Sequence, residues 1–187
     1  TIRKKRAVCE GYATLYKYLC DLISIECEII RGTAKILNSD IGRMPGDINH
    51  SWNAVKIDGE WKLIDVTWGA GYIDIFEQKF VKDFSNIYFF SDPDLFFLNH
   101  FPVNPDWLLV DKTAGDFAEL PLYYPGQLHS KIKIIKPQKG VIKIRRNKSF
   151  EFVLKNSADA EVGYLFSNDQ YLQRAEPSVL NGLDHYT

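Results

Sequence analysis

His50-Ser51-Trp52-Asn53-Ala54-Val55-Lys56-Ile57-Asp58-Gly59-Glu60-Trp61-Lys62-Leu63-Ile64-Asp65-Val66-Thr67-Trp68 is the stretch whose reading decides the fold. Its first half alternates in the manner of a strand. Asp58-Gly59 then supplies the strongest short turn signal between two strands, because both residues tolerate positive φ. Trp61 to Trp68 reads as the return strand, and Gly69-Ala70-Gly71 ends the pattern. A two-residue turn sets the register. Ile57 faces Glu60, Trp52 faces Asp65 and His50 faces Thr67. Side chains alternate across a strand, so His50, Trp52, Ala54 and Lys56 share a face with Trp61, Leu63, Asp65 and Thr67. His50 and Asp65 become diagonal neighbours, about 7–8 Å apart at the backbone, which suits an aspartate accepting from an imidazole. A slip of one residue would separate them. On spacing alone, a lone histidine on a strand and a nearby aspartate are ordinary surface groups. The company of Trp52, Ala54, Trp61 and Leu63 makes this a core or cleft face, where a carboxylate needs a partner.

Upstream, Tyr12, Leu15, Tyr16, Leu19 and Ile23 recur at helical spacing. Cys9 falls at the front of that helix. A helix N-terminus carries partial positive charge and free N–H groups, which favour a thiolate, and a protonated histidine nearby adds to this. By itself Cys9 reads as a buried structural thiol. Arg3-Lys4-Lys5-Arg6 reads as a solvated flank with a small, screened effect. Glu26 to Arg31 reads as a strand. Asn38 to Asn49 holds two glycines, one proline and two aspartates, so it reads as a loop. It leads directly into His50 and is expected to border the cleft and shape access to it.

Downstream, Lys79 to Phe90 fits either helix or extended chain. Asp92-Pro93 and His100-Phe101-Pro102-Val103-Asn104-Pro105 are rich in turn formers, and 113–126 reads as loop. From Lys131 the pattern changes. Segments 131–135, 141–144 and 150–154 read as short strands separated by Pro137-Gln138-Lys139-Gly140 and Arg145-Arg146-Asn147. The division expected is 1–115 and 116–187, the second part all-β and shorter than the ~100 residues of an immunoglobulin-like sandwich.

The chain has 187 residues, 45% hydrophobic and 25% charged, which is a globular composition. A net charge of -1 lacks the basic excess of a nucleic-acid binder. No apolar run is long enough to span a bilayer. Three cysteines, Cys9, Cys20 and Cys27, make an odd number and no disulfide framework. Cys20 and Cys27 read as small buried apolar residues. No C-x-x-C pair exists and the four histidines are scattered, so neither a metal nor a cofactor is expected. His100 and His129 read as structural. The chain opens without Met just before its best motif, which reads as a fragment or processed form. The compartment, cytoplasmic or secreted, stays open.

Ala7-Val8-Cys9-Glu10-Gly11-Tyr12-Ala13 before an apolar helix resembles the nucleophile motif of the transglutaminase-like superfamily. His50-Ser51-Trp52-Asn53-Ala54-Val55, Asp58-Gly59-Glu60-Trp61 and Asp65-Val66-Thr67-Trp68 resemble its histidine and aspartate blocks, in the same order. Phe97-Leu98-Asn99-His100-Phe101-Pro102 through Trp107-Leu108-Leu109 is similar to the kyphoscoliosis peptidase branch. The likeness spans roughly Arg6 to Val110. It implies an α+β, papain-like core in which a nucleophile helix packs on an antiparallel sheet, followed by a small all-β, immunoglobulin-like domain. It implies Cys9 as nucleophile, His50 as base and acid, and Asp65 as the group that fixes the imidazole tautomer. Glu10, Trp52 and Trp68, beside these three in sequence, are expected to line the substrate cleft. The Cys9 backbone N–H is a candidate oxyanion donor. The chemistry implied is acyl transfer from a peptide or protein amide through a thioester, to water or to an amine. The alternative is a catalytically silent, protein-binding domain, with the β-rich tail as a possible partner surface.

Overall fold

The computed structural model describes residues 7–74, 77, 79–124, 132–146, 148–156, 163–164, 173–174, 178–180 and 183–186. The Arg3–Arg6 run and His129 lie outside the described residues.

The hairpin forms as its sequence dictates. Strand β2 (His50–Ile57) pairs antiparallel with β3 (Glu60–Ile64), with Ile57 opposite Glu60, Ala54 opposite Leu63 and Asn53 opposite Ile64. Asp58 and Gly59 both take positive φ, +52° and +83°, as a primed turn requires. The return strand is shorter than its alternation suggests. It ends at Ile64, and Val66–Ala70 is helix α2. Asp65 is the cause: its carboxylate caps this helix by accepting from Thr67 and Trp68 N–H, at 2.9 and 3.0 Å. The pairings of Trp52 with Asp65 and His50 with Thr67 are therefore replaced by a helix start.

Helix α1 (Cys9–Leu22) begins at Cys9 as expected, but its buried face is Ala13, Tyr16 and Cys20, while Leu19 and Ile23 are 51% and 67% exposed. Strand β1 (Cys27–Ala34) runs three residues past Arg31. Two further strand pairings follow α2. Strand β4 (Gly71–Asp74) pairs with β5 (Lys79–Lys82), and β6 (Phe89–Ser91) joins β3, so 79–90 is extended rather than helical apart from one tight turn at Asn86–Tyr88. Helix α3 (Pro93–Phe97), capped by Asp92, precedes β7 (His100–Pro102), which pairs with β1. The main sheet has the order β6-β3-β2-β1-β7 and is antiparallel at each pairing.

Both faces of this sheet are covered. Cys20, Cys27, Val55 and Ile64 pack with Tyr16 on the α1 side. Ile30, Trp52, Ala54, Leu63, Tyr88 and Phe96 fill the other side, with Trp61, Trp68 and Trp107 against them. Asn53 ties α1 down: its buried amide donates to the carbonyls of Ala13 (3.1 Å) and Glu28 (3.2 Å).

The stretch expected as loop after Thr113 instead contains α4 (Ala114–Glu119), closed by a reciprocal Thr113/Asp116 capping box. It spans residues 115 and 116, and Phe117 packs with Phe97 and Leu108. Lys35, buried, donates from Nζ to the carbonyls of Phe117 (2.6 Å) and Leu120 (2.8 Å) at the end of that helix. Beyond it, β8 (Ile132–Lys136), β9 (Phe152–Asn156), β12 (Ser178–Leu180) and β13 (Leu183–Tyr186) form a four-stranded sheet of order β12-β13-β9-β8, and β10 (Gly163–Tyr164) pairs with β11 (Gln173–Arg174). Val141–Ile144, expected as a strand, has no regular structure, and among the described residues no strand pairs with it.

Candidate active site

His50 is the first residue of β2 and Asp65 the last before α2, so the hairpin brings them to one end of the sheet. His50 Nε2 lies 2.6 Å from Asp65 Oδ2. Their relative exposures are 4% and 1%, so this is a desolvated contact. An ionised carboxylate only accepts, so His50 carries a proton on Nε2, and the neutral ring then has its lone pair on Nδ1. Trp68 flanks the imidazole, with ring centroids 5.1 Å apart.

A second imidazole shares the same oxygen. His100 Nε2 lies 3.0 Å from Asp65 Oδ2, and the His100 ring stacks on Phe96 at 4.0 Å. With the two α2 amides on Oδ1, the buried carboxylate takes four donors, two to each oxygen. Burial pushes the Asp65 pKa up, but the hydrogen bonds from His100 and His50 and the field of the two rings outweigh it and hold it well below the usual carboxylate range. His100 shifts down, chiefly through burial, against the pull of Asp65. Its Nδ1 is 3.2 Å from the Phe96 carbonyl, which accepts a hydrogen bond only when Nδ1 carries a proton. Burial keeps this ring neutral, since His100 is 1% exposed, and the ionised carboxylate places its proton on Nε2. The Tyr88 hydroxyl, also in this shell, is pushed up by burial and then by the Asp65 charge.

His100 was expected to be structural, and it is the member of this group that sequence reasoning missed. The register explains its arrival. β1 lies between β2 and β7, with Gly32 opposite both His50 and Pro102, and Ala34 opposite His100. His50 and His100 therefore share one face, two strands apart and offset by two residues, about 12 Å at the backbone. The strand between them offers only a hydrogen and a methyl on that face, so the rings close to 5.5 Å. Nothing local at Asn99-His100-Phe101 announces this. The usable signal is the small residues Gly32 and Ala34 in a strand beside a buried histidine.

Cys9 opens α1 and is half-buried. The next residue, Glu10, accepts from Ser51 Oγ (2.8 Å) and from Arg31, which holds its carboxyl below the usual range. This clasp sets the start of α1 against the residue after His50. Ser51 and His50 leave β2 on opposite faces, so a thiol at Cys9 meets the imidazole only around the strand end. Among the described residues, no hydrogen bond joins Cys9 Sγ to His50. Cys20 and Cys27 are buried and unpaired as expected, and burial beside Cys20 pushes the Cys27 thiol up to about 12.

Of the expected cleft residues, Glu10 belongs to the clasp, Trp52 is buried between Phe96 and His100, and Trp68 is half-buried against His50. A cleft of about 190 Å³ opens beside α2, lined by Tyr16, Ile64, Asp65, Val66, Phe84 and Phe89 among others, and none of those three borders it. No helix among the described residues is long and apolar enough to cross a membrane.

Among the described residues, His50, Asp65 and His100 are also a group whose donor atoms lie close enough together to hold a metal ion. Their separations of 2.6 and 3.0 Å are those of N–H···O contacts. Ligands at ~2.0–2.2 Å from a tetrahedral zinc stand more than 3 Å from one another, so an ion would have to spread the group.

No family model matches the chain. Over 133 residues, 70% of this chain and 20% of the relative, it is 36% identical to the kyphoscoliosis peptidase of Mus musculus. The human kyphoscoliosis peptidase is 36% identical over 110 residues, 58% of this chain and 17% of the relative. A LIM and transglutaminase domain protein of Caenorhabditis elegans is 28% identical over 125 residues, 60% of this chain and 17% of the relative. The chain thus spans a fifth or less of these relatives' length, and its similarity is to proteins named for a peptidase and for a transglutaminase domain.

Proposed function

We propose that this chain is a transglutaminase-like cysteine hydrolase or acyltransferase, peptidase-like in preference, with Cys9 as nucleophile, His50 as base and Asp65 as orienter. The observation that carries the reading is the buried His50 Nε2–Asp65 Oδ2 contact, because it leaves Nδ1 as the free base. Similarity to proteins named kyphoscoliosis peptidase supports the choice of chemistry. On this reading the Cys9 proton passes to His50 Nδ1 and the sulfur bonds to the carbonyl carbon of a peptide or protein amide. The C–N bond breaks as His50 returns the proton to the leaving amine. Water, or a second amine, then attacks the thioester while His50 takes its proton. The C–S bond breaks, the sulfur is reprotonated, and a carboxylic acid or a new amide is released. Asp65, kept ionised by its four donors, stabilises the transient imidazolium. We further propose a papain-like core, the 1–115 and 116–187 division, an immunoglobulin-like tail, and a loop at 38–49 that shapes access.

A second reading, a catalytically silent protein-binding domain, is favoured by the missing Cys9–His50 hydrogen bond. Alkylation of Cys9 separates the two. At about pH 6, where an ordinary thiol is almost wholly protonated, the wild type should react at least about tenfold faster than His50→Ala. Equal rates, or an inert Cys9, would leave the binding reading standing.

A further inference from the structure

We infer that His100 is a positioning residue for the proposed reaction, holding Asp65 so that His50 keeps a single tautomer and a single orientation. The inference rests on the catalytic reading for its purpose, but its geometry stands apart from Cys9.

The carboxylate Oδ2 serves two imidazoles. With His50 alone it would have one partner on that oxygen and a vacant acceptor position in a site closed to water. A buried carboxylate in that condition can rotate, or take up a proton, to satisfy itself. Either change weakens its hold on His50 Nε2–H and lets the imidazole proton move to Nδ1, where it blocks the base. His100 removes that freedom. It fills the second position on Oδ2 while the α2 amides fill both on Oδ1, so rotation would break donors on both oxygens. Its own ring is fixed by the Phe96 stack at 4.0 Å and the edge of Trp52 at 5.1 Å. It comes from β7, at the other end of the chain segment from the β2–β3 hairpin, so it locks the pair from outside the element that carries it. A neutral donor is what the role needs, since a permanent cation there would cancel the Asp65 charge that the His50 imidazolium uses.

The test is the protonation pattern of the rings, read by long-range proton–nitrogen correlation on the full chain labelled with nitrogen-15. Wild type should show His50 and His100 each protonated on Nε2, with His50 Nδ1 bare. His100→Leu should lose the single His50 tautomer and give a mixture, and Cys9 alkylation should slow with it. His100→Gln, whose amide reaches the Nε2 position, should restore the single tautomer. A single His50 tautomer in folded His100→Leu overturns the proposal. Should His100→Leu fail to fold, the wild-type spectrum decides: His100 unprotonated on Nε2, or zinc found bound at these nitrogens, overturns it too. If the tautomers behave as stated while Cys9 alkylation is indifferent to His50→Ala, the positioning role stands and the catalytic reading falls.

Discussion

His50 and His100 begin two strands that do not pair with each other, yet both reach one oxygen, Asp65 Oδ2, at 2.6 and 3.0 Å. The sheet places them, a helix cap orients the carboxylate, and the small residues of the strand between let the rings meet. Each link can be cut separately.

Acid should weaken the fold in two steps. His100 is held below its ordinary value, so the unfolded chain binds a proton that the folded chain refuses once the pH drops below about 6.5. Its contribution is complete above that pH and is lost as the pH falls through the depressed folded value. Asp65, also depressed, adds a second loss below about 3.9. Melting temperature against pH should therefore fall more steeply below about pH 6.5 in wild type than in His100→Gln. Parallel curves would mean that His100 titrates as it does unfolded.

Gly32 is the spacer. A Cβ there would overlap the Phe101 carbonyl oxygen and stand 2.6 Å from Trp52 Cη2. Gly32→Ala should cost about 1–3 kcal/mol, as overpacking does. Because β7 is the element that must yield, the His100 N–H signal should shift more than the amides of β3. Urea denaturation and an amide spectrum check the two statements together.

Asn53 anchors the helix that carries Cys9. Its amide satisfies the Ala13 and Glu28 carbonyls in a fully buried place. Asn53→Ala should destabilise by about 1–3 kcal/mol through the acceptors it leaves bare. Amide exchange should quicken in α1 first, and unchanged protection there would show that packing alone holds the helix.

Lys35 couples α4 to the sheet. Burial lowers its pKa to about 8, with Asp40 opposing. The folded chain then releases this proton before the unfolded chain does, at about 10.4, so stability attributable to Lys35 rises with pH between those values. Lys35→Met should lack that rise. A wild-type curve that falls more than the variant's across the same range would mean the cation is stabilised by the Phe117 and Leu120 carbonyls beyond what burial removes.

Much of this was legible in the residues alone. The Asp58-Gly59 turn fixed the β2–β3 register, because only residues tolerant of positive φ close a two-residue hairpin. The helix after Cys9 and the meeting of His50 with Asp65 followed from periodicities of 3.6 and 2. Two capping signals were present but unread. Asp65 before Thr67 and Trp68 starts a helix, and Thr113 with Asp116 starts another. A cap is one or two hydrogen bonds, and it competes on nearly equal terms with a continuing strand or loop until packing decides. The arrival of His100 at Asp65 was decided by tertiary structure alone. It depends on β7 pairing with β1 rather than elsewhere, on Gly32 and Ala34 leaving room, and on a carboxylate with an open acceptor site. These are contacts between segments about 35 to 70 residues apart, and no local pattern encodes them.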